Sequence, residues 1–114
     1  MISPVDEFYL QQPEPLRGFL LFLRAWLLKE ECTEAFNYHT PFFRYKQKPF
    51  CYFILQKNKS IMYIGFMKGR QLHHANLHSE GRKVVKLFYI DPEKEVPLKE
   101  LQAIVSSARK LYND

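Results

Sequence analysis

Two apolar runs in the middle of the chain decide its fold, Phe50-Cys-Tyr-Phe-Ile-Leu-Gln56 and Ile61-Met-Tyr-Ile-Gly-Phe-Met67. Both are short and rich in β-branched and aromatic residues, and polar residues 57–59 between them are typical of a turn, so the pattern predicts two adjacent strands. The first run is apolar at odd and even positions alike, with Cys51, Phe53 and Leu55 on one face and Tyr52 and Ile54 on the other. Such a sheet requires cover on both faces.

Two more strands are expected outside this pair, over residues 42–46 and 84–90. Residues 47–49 join the first of them to the central run, and residues 72–79 are expected to form a loop with at most a helical turn. Before these strands, Thr33 is expected to cap a short helical turn over residues 34–37. Pro41 then forces extended geometry.

Helical periodicity marks both ends of the chain. The first helix is expected from Pro13–Pro15 to Glu31, because proline is tolerated in a first turn. Its core face holds Leu16, Phe19, Leu20, Leu23, Trp26 and Leu27, while Leu21, Phe22 and Leu28 lie toward the flanks and predict a second contact surface. The second helix is expected over residues 97–112, with one apolar stripe that packs on the sheet.

These elements predict an α+β fold in which an antiparallel sheet of four to five strands is flanked by an N-terminal and a C-terminal helix. No repeat or linker divides the 114 residues, so a single domain over residues 1–114 is expected. Residues 1–12 are expected to form a flexible arm.

The composition is that of a globular domain, with 46% hydrophobic and 25% charged residues. Aromatic residues make up 16%, more than a small core usually takes, which favours rings in a groove or a subunit contact. Cys32 and Cys51 are expected to be reduced core thiols. The apolar stretch from Leu16 to Leu28 is too short to span a bilayer, so no membrane is expected and the cytoplasm is the predicted location.

Charge is unevenly distributed along the sequence. Residues 1–40 carry three Lys and Arg against six acidic residues, a net charge of −3. Residues 41–90 carry ten Lys and Arg against Glu80 alone, a net charge of +9. The basic field therefore belongs to the predicted strands.

Four segments resemble the YdhG-like family of bacterial domains of unknown function. They are Glu34-Ala-Phe-Asn-Tyr-His-Thr-Pro-Phe-Phe43, Tyr52-Phe-Ile-Leu55, Tyr63-Ile-Gly-Phe-Met-Lys-Gly69 and Leu77-His-Ser-Glu-Gly-Arg-Lys83. The resemblance covers roughly residues 16–112 and implies the same order of elements. Most members have no assigned activity, and one branch has been given a frataxin-like role in iron delivery.

The surplus of rings favours a non-enzymatic binding or interaction domain, with an unidentified small molecule, a protein or a second copy of the chain as its partner. The candidate binding surface consists of Phe42, Phe43, Tyr45, Tyr52, Tyr63 and Phe66, with Lys68 and Arg70 as its cationic members. No cofactor is expected for this function.

Metal binding is a second hypothesis. The resemblance to the iron-delivery branch makes iron the candidate metal, and Glu30, Glu31, Glu34 and His39 are the candidate ligands. His73, His74 and His78 form a second cluster, in which the last two would share a face if the segment were helical. It lacks partner carboxylates and thiols, so a polar loop is the preferred interpretation.

Nucleic-acid binding is a third hypothesis, because Phe43-Arg-Tyr-Lys46 and Lys86-Leu-Phe-Tyr89 alternate cations with rings as single-stranded platforms do. Alternation of this kind also describes an ordinary half-exposed strand. An enzyme is not expected, since His39 has no fixed nucleophile among Cys32 and Cys51. Gly65 and Gly69 lack the Lys-Ser/Thr of a nucleotide-binding loop and suit a sharp turn.

Overall fold

In the part of the chain that the structure describes, two α-helices are followed by six strands, with a short 3-10 helix (Gly69–Gln71) after the fourth strand, and by a final α-helix. This computed structural model describes residues 3–37, 39–55, 62–79, 81–91 and 93–113. The described elements are α1 (Pro4–Leu10), α2 (Leu16–Lys29), β1 (Thr33–Asn37), β2 (Thr40–Tyr45), β3 (Lys48–Leu55), β4 (Met62–Phe66), β5 (Leu77–His78), β6 (Lys86–Ile90) and α3 (Leu98–Lys110). The expected turn at residues 57–59 lies outside the described residues.

The strands form one antiparallel sheet in the order β1-β2-β3-β4-β6-β5, which confirms the expected α+β class. The sheet has six strands rather than four to five. The two additional strands, β1 and β5, are the edge strands. Both lie in segments where the sequence predicts loops or helical turns.

Residues 34–37, expected to form a helical turn, belong to β1 instead. They pair with β2 from Thr33 opposite Arg44 to Asn37 opposite Thr40, which is a tight hairpin. His39 in this hairpin has a φ of 62°, a left-handed conformation that the turn demands. Pairing along five positions outweighs the local preference for one capped turn, because a single turn forms few backbone hydrogen bonds.

One cluster of buried side chains joins all three helices to one face of the sheet, here called the inner face. The strands contribute alternate residues to it, as the pleat requires. These strand residues are Phe43, Tyr45, Phe50, Cys51, Phe53, Met62, Ile64, Phe66, Leu77, Phe88 and Ile90.

Residues 4–10 form a helix where a flexible arm was expected over residues 1–12. Ser3 caps α1 by accepting a hydrogen bond from the Asp6 N–H at 3.2 Å, and Pro4 occupies its first turn. The helix is fixed to the core because the Tyr9 side chain is fully buried. A short amphipathic helix thus completes the cover of the inner face.

A polar network connects α1, α2 and β1 beneath Tyr9. The Tyr9 hydroxyl donates to Glu34 Oε2 at 2.6 Å, and Arg24 donates to Glu34 Oε1 at 2.9 Å and to Asp6 Oδ1 at 2.7 Å. Hydrogen bonds from Arg24 and Ser3 lower the pKa of Asp6. Asp6 therefore stabilises the fold at neutral pH, and this contribution is lost as the pH falls through its lowered pKa.

Helix α2 ends at Lys29, two residues before the expected end. Glu31 adopts a φ of 70°, and the Cys32 N–H donates to the Leu27 carbonyl at 3.2 Å. This is the hydrogen bond of a Schellman cap with a non-glycine residue in the left-handed position. Its hydrophobic contact is supplied by Leu27 and Cys32, which both lie in the core.

An extra residue in β3 breaks the alternation that the sequence suggests. The register with β2 shifts between Phe43, opposite Cys51, and Arg44, opposite Pro49. Such a bulge turns two successive side chains to the same side. Phe50 and Cys51 are consequently both buried in the core.

Helix α3 lies where the periodicity predicts it. Its buried residues are Leu101, Ile104, Val105 and Ala108, and Tyr112 follows just beyond its end. The Tyr112 hydroxyl donates to the Pro49 carbonyl at 2.6 Å, which ties the end of α3 to the start of β3. The helix thereby seals the inner face.

Candidate functional site

The predicted binding surface is divided between the two faces of the sheet. Phe43, Tyr45 and Phe66 point to the inner face and are part of the core, so they are unavailable for binding. The other three rings, Phe42, Tyr52 and Tyr63, occupy the opposite face, here called the outer face. Strand pairing places Phe42 opposite Tyr52, and Tyr63 opposite both Ile54 and Tyr89.

The first row of the outer face crosses the sheet from Phe42 to Leu87. The rings of Phe42 and Tyr52 are stacked, with centroids 5.5 Å apart and planes 3° from parallel. Tyr52 also covers Gly65, its partner in β4, so closely that an added Cβ would lie 2.9 Å from the Tyr52 ring. Gly65 thus provides the space into which the Tyr52 ring settles.

A second row adds two residues that the predicted surface lacks, Tyr89 and His78. The Tyr63 and Tyr89 rings are 4.5 Å apart, and the His78 and Tyr89 rings are 5.0 Å apart. Tyr89 is 38% exposed, so one of these rings is accessible to a ligand. Alternation in Lys86-Leu-Phe-Tyr89 is the signal that could have identified it, since Phe88 and Tyr89 must face opposite ways.

A groove of about 560 Å³ runs over part of the outer face. Most of its lining is apolar, and its polar groups come from the β1–β2 hairpin. The lining consists of Phe8, His39, Thr40, Phe42, Tyr52, Phe53, Ile54, Leu55, Met67 and Val85. A volume of this size suits a small planar ligand.

One end of the sheet is strongly basic. The pairing of Tyr45 with Lys48 and of Phe66 with Lys86 brings the β2–β3 turn, the end of β4 and the start of β6 to the same end. The exposed cations there are Arg44, Lys46, Lys48, Arg70, Arg82 and Lys83. None of these six forms an ion pair with an acidic side chain that the structure describes.

The two predicted cationic members of the surface have different environments. Arg70 is exposed at the basic end. Lys68 is directed to the other side, where its Nζ donates to the Leu111 carbonyl at 3.1 Å and lies 4.4 Å from the centre of the Tyr112 ring. Lys68 therefore holds α3 rather than a ligand.

The four candidate iron ligands are not assembled into a site. Glu34 is held by Tyr9 and Arg24, and Glu30 lies 3.7 Å from Arg109, whereas Glu31 and His39 are exposed at two different turns. Among the described residues, no three His, Cys, Asp or Glu side chains are grouped as metal ligands.

The three histidines of residues 73–78 are also separated. His74 lies 3.8 Å from Glu100 of α3 and, with His73, lines a cleft of about 290 Å³ beside that helix. His78 is on the outer face against Tyr89. The β5 pairing separates them, because it directs His78 to the side opposite α3.

Both thiols are buried in the core. Burial raises the pKa of Cys32 to about 11 and the pKa of Cys51 well above its usual value. Both are therefore protonated at neutral pH, and His39 stands exposed in the β1–β2 hairpin. No pairing of thiolate and imidazole follows from this arrangement.

The described residues contain no helix with the length and apolar character needed to cross a membrane. No protein-family model matches the chain, and neither the curated proteins nor the solved structures give a match.

Proposed function

We propose that this protein binds single-stranded nucleic acid on the outer face of its sheet. The observation that supports this function best is the group of outer-face rings that lie outside the core, of which Tyr89 and His78 are exposed and Tyr52 and Tyr63 are half-buried. Bases splayed from a single strand stack on such rings, and stacking accepts any base because each base has a π-face.

The charge distribution supports the same ligand. A polyanion is attracted to the basic end, where six exposed cations lack described acidic partners. Bases would occupy the rings and the groove while phosphates approach Arg44, Arg70 and Lys83 at the edge. Rings flanked by cations are the combination that single-stranded binding requires.

A duplex fits this surface less well. The stacked bases of a duplex do not expose their faces, so the rings of Tyr52 and Tyr89 would have nothing to stack on. The proposal is therefore for single strands or loops of RNA or DNA. Binding assays with RNA and DNA strands of the same sequence distinguish between them.

Fluorescence anisotropy with labelled single strands of about 12 nucleotides tests the proposal. We expect binding that weakens steeply between about 50 and about 200 mM salt, because bound counterions are released from the phosphates. An unlabelled single strand should compete and a duplex should not. Absence of binding at the lower salt concentration would refute the function.

Variants locate the site. Replacing Tyr52 or Tyr89 by Ala should weaken binding by about 5- to 100-fold, the effect of losing one stacked base. Leu10→Ala is the matched control, since Leu10 is an exposed apolar residue of α1 that is 52% accessible. Equal affinities for the control and the tyrosine variants would exclude the outer face.

Two further substitutions separate stacking from charge. Gly65→Ala removes no ring but displaces the Tyr52 ring, because the added Cβ would lie 2.9 Å from it, so affinity should fall as it does in Tyr52→Ala. Arg70→Gln should lower the salt slope by about 1 if Arg70 contacts one phosphate. An unchanged slope would remove Arg70 from the interface, and thermal melts establish that each variant is folded.

A further inference from the structure

An apolar stripe on α2 is left exposed by the residues that the structure describes. It lies opposite the buried face of the helix and consists of Gly18, Leu21, Phe22, Ala25 and Leu28, spaced three and four residues apart. Leu21, Phe22 and Leu28 are 39%, 45% and 44% exposed. A helix that is apolar on both sides is usually buried on both sides.

Charged residues stand only at the two ends of this stripe. Glu14 precedes the first turn, and its carboxylate accepts a hydrogen bond from the Gly18 N–H at 2.8 Å, which places it at the start of the stripe. Lys29 is the last residue of the helix, and both side chains are exposed. The charged residues between them, Arg17 and Arg24, lie at the flank, where they pair with Glu14 and with Glu34 and Asp6. The stripe is therefore neutral along its length, negative at one end and positive at the other.

We propose that a second copy of this chain docks on the stripe, with the two α2 helices antiparallel. In that arrangement Glu14 of each copy faces Lys29 of the other copy, so an ion pair forms at each end of the contact. Leu21 and Phe22 meet at the centre, and Gly18 faces Ala25. The two helix dipoles also oppose each other, which is the favourable orientation.

The central small residues support close approach of a second helix. Among the described residues, a Cβ added at position 18 would approach one group, the Glu14 carboxylate at 3.3 Å, which also accepts a hydrogen bond from the Gly18 N–H at 2.8 Å. Glycine inside a helix is destabilising, so its use on an exposed face suits a backbone that another helix approaches.

A membrane surface fits this stripe less well than a second copy does. Residues 1–40 carry a net charge of −3, which anionic lipid headgroups repel. Interfacial helices, in contrast, carry Lys and Arg along the polar side of the helix. Flotation with vesicles of phosphatidylcholine and phosphatidylserine tests this competitor, and recovery of the protein with the vesicles would overturn the proposal.

Analytical ultracentrifugation of the full chain measures the association. The stripe is short, so we expect a reversible dimer with a dissociation constant in the range of about 10 to about 100 µM. Leu21→Glu should weaken it at least about tenfold, because a carboxylate would be buried at the centre of the contact. Val84→Glu is the control, since Val84 is 51% exposed outside α2 and should leave the dimer unchanged.

Exchange of the end charges tests the antiparallel arrangement itself. Lys29→Glu alone places like charges together at both ends and should weaken the dimer by about threefold or more at low salt. Adding Glu14→Lys to the same chain should restore the affinity. Circular dichroism melts show whether each variant keeps its fold.

A monomer at all concentrations would overturn the proposal, as would a dimer that Leu21→Glu leaves intact. A dimer that dissociates in Leu21→Glu but is not rescued by the exchanged charges would overturn the antiparallel pairing. The stripe and the outer face are separate surfaces, so these results do not depend on nucleic-acid binding.

Discussion

Tyr9 shows how one buried hydroxyl can hold an end of the chain in place. Its ring is fully buried, its hydroxyl donates to Glu34, and the Arg24 guanidinium lies 4.6 Å from the centre of the ring. Burial is the main reason why the pKa of Tyr9 is raised, with the hydrogen bond to Glu34 the next cause. The neutral hydroxyl is therefore a permanent donor to the carboxylate.

Tyr9→Phe should lower the free energy of unfolding by about 1.5 to 3 kcal/mol, because it removes the hydrogen bond that the hydroxyl donates to the charged, part-buried Glu34 carboxylate. Urea unfolding followed by circular dichroism measures the change. Tyr89→Phe is the control, since Tyr89 is partly exposed and a surface substitution should stay within about 0.5 kcal/mol. A Tyr9→Phe protein as stable as this control would show that the hydrogen bond contributes nothing.

Single residues also mark where prediction from the sequence ends. Phe42 and Phe43 are identical and adjacent, and nothing local indicates which of them points to the core. Strict alternation would place Phe50 on the same face as Tyr52, the outer face, but the bulge in β3 turns the Phe50 side chain to the inner face instead. A bulge depends on pairing with β2, which a reading of β3 alone does not contain.

Among the described elements, the β2–β3 hairpin has a turn whose conformation its residues do not favour. Lys46 and Gln47 form its two-residue loop with φ values of 52° and 67°. Two successive positive φ angles are the signature of a type I′ turn, which favours Asn-Gly. Lys and Gln are strained there because their Cβ atoms approach the backbone.

The double variant Lys46→Asn with Gln47→Gly should raise the free energy of unfolding by about 1 kcal/mol, because both positions then suit positive φ. Chemical denaturation measures it. Lys48→Gly is the comparison, since Lys48 belongs to the strand and glycine should be destabilising there. A double variant less stable than the original protein would show that the Lys46 contact with Asn113 matters more than the turn.

The elements differ in how far the sequence predicts them. Helices α2 and α3 and four strands follow from periodicity, since each has an apolar pattern of its own. The edge strands β1 and β5 do not, because they are five and two residues long and derive their structure from the neighbouring strand. Glu34 is charged, so the sequence suggests an exposed position for it, but it forms an ion pair with Arg24 of α2.

Across the whole molecule, α3 is the element on which the inner face depends. Its side chains Leu101, Ile104, Val105 and Ala108 are at most 2% exposed, so removing the helix would uncover a large apolar area of the sheet. The contacts of the Tyr112 ring with the Tyr45 and Phe50 rings, whose centroids lie 6.1 and 5.4 Å from its own, would also be lost.

A chain that ends at residue 96 should therefore be unfolded or molten at 25 °C, because losing several buried side chains at about 1.5 to 3 kcal/mol each is comparable to the about 5 to 15 kcal/mol of a typical domain. Near-ultraviolet circular dichroism and dye binding distinguish a molten chain from a native one. Removal of residues 113–114 is the control, since this shorter truncation leaves α3 and Tyr112 in place. Native spectra from the chain ending at residue 96 would show that α3 is dispensable.

At this scale the sequence predicts the class of fold well and the site only in part. Composition and periodicity indicate one core with a covered sheet, and the structure has it. All three helices pack on the inner face, whereas on the outer face Phe42 and Leu87 are buried and Tyr89 is 38% exposed. The direction that the chain takes between elements decides which face the helices cover, and the hydrophobic pattern of the sequence does not reveal that direction.

The order of synthesis gives the position of α3 a further importance. Helices α1 and α2 and the six described strands are synthesised before residues 98–110, yet the inner face of the sheet cannot be sealed without those residues. During translation the growing polypeptide therefore displays an unsealed apolar layer, the kind of surface that chaperones bind and that promotes aggregation. Slow decoding of residues 98–110 would prolong this exposure, so the rate of translation over α3 should influence the yield of native protein.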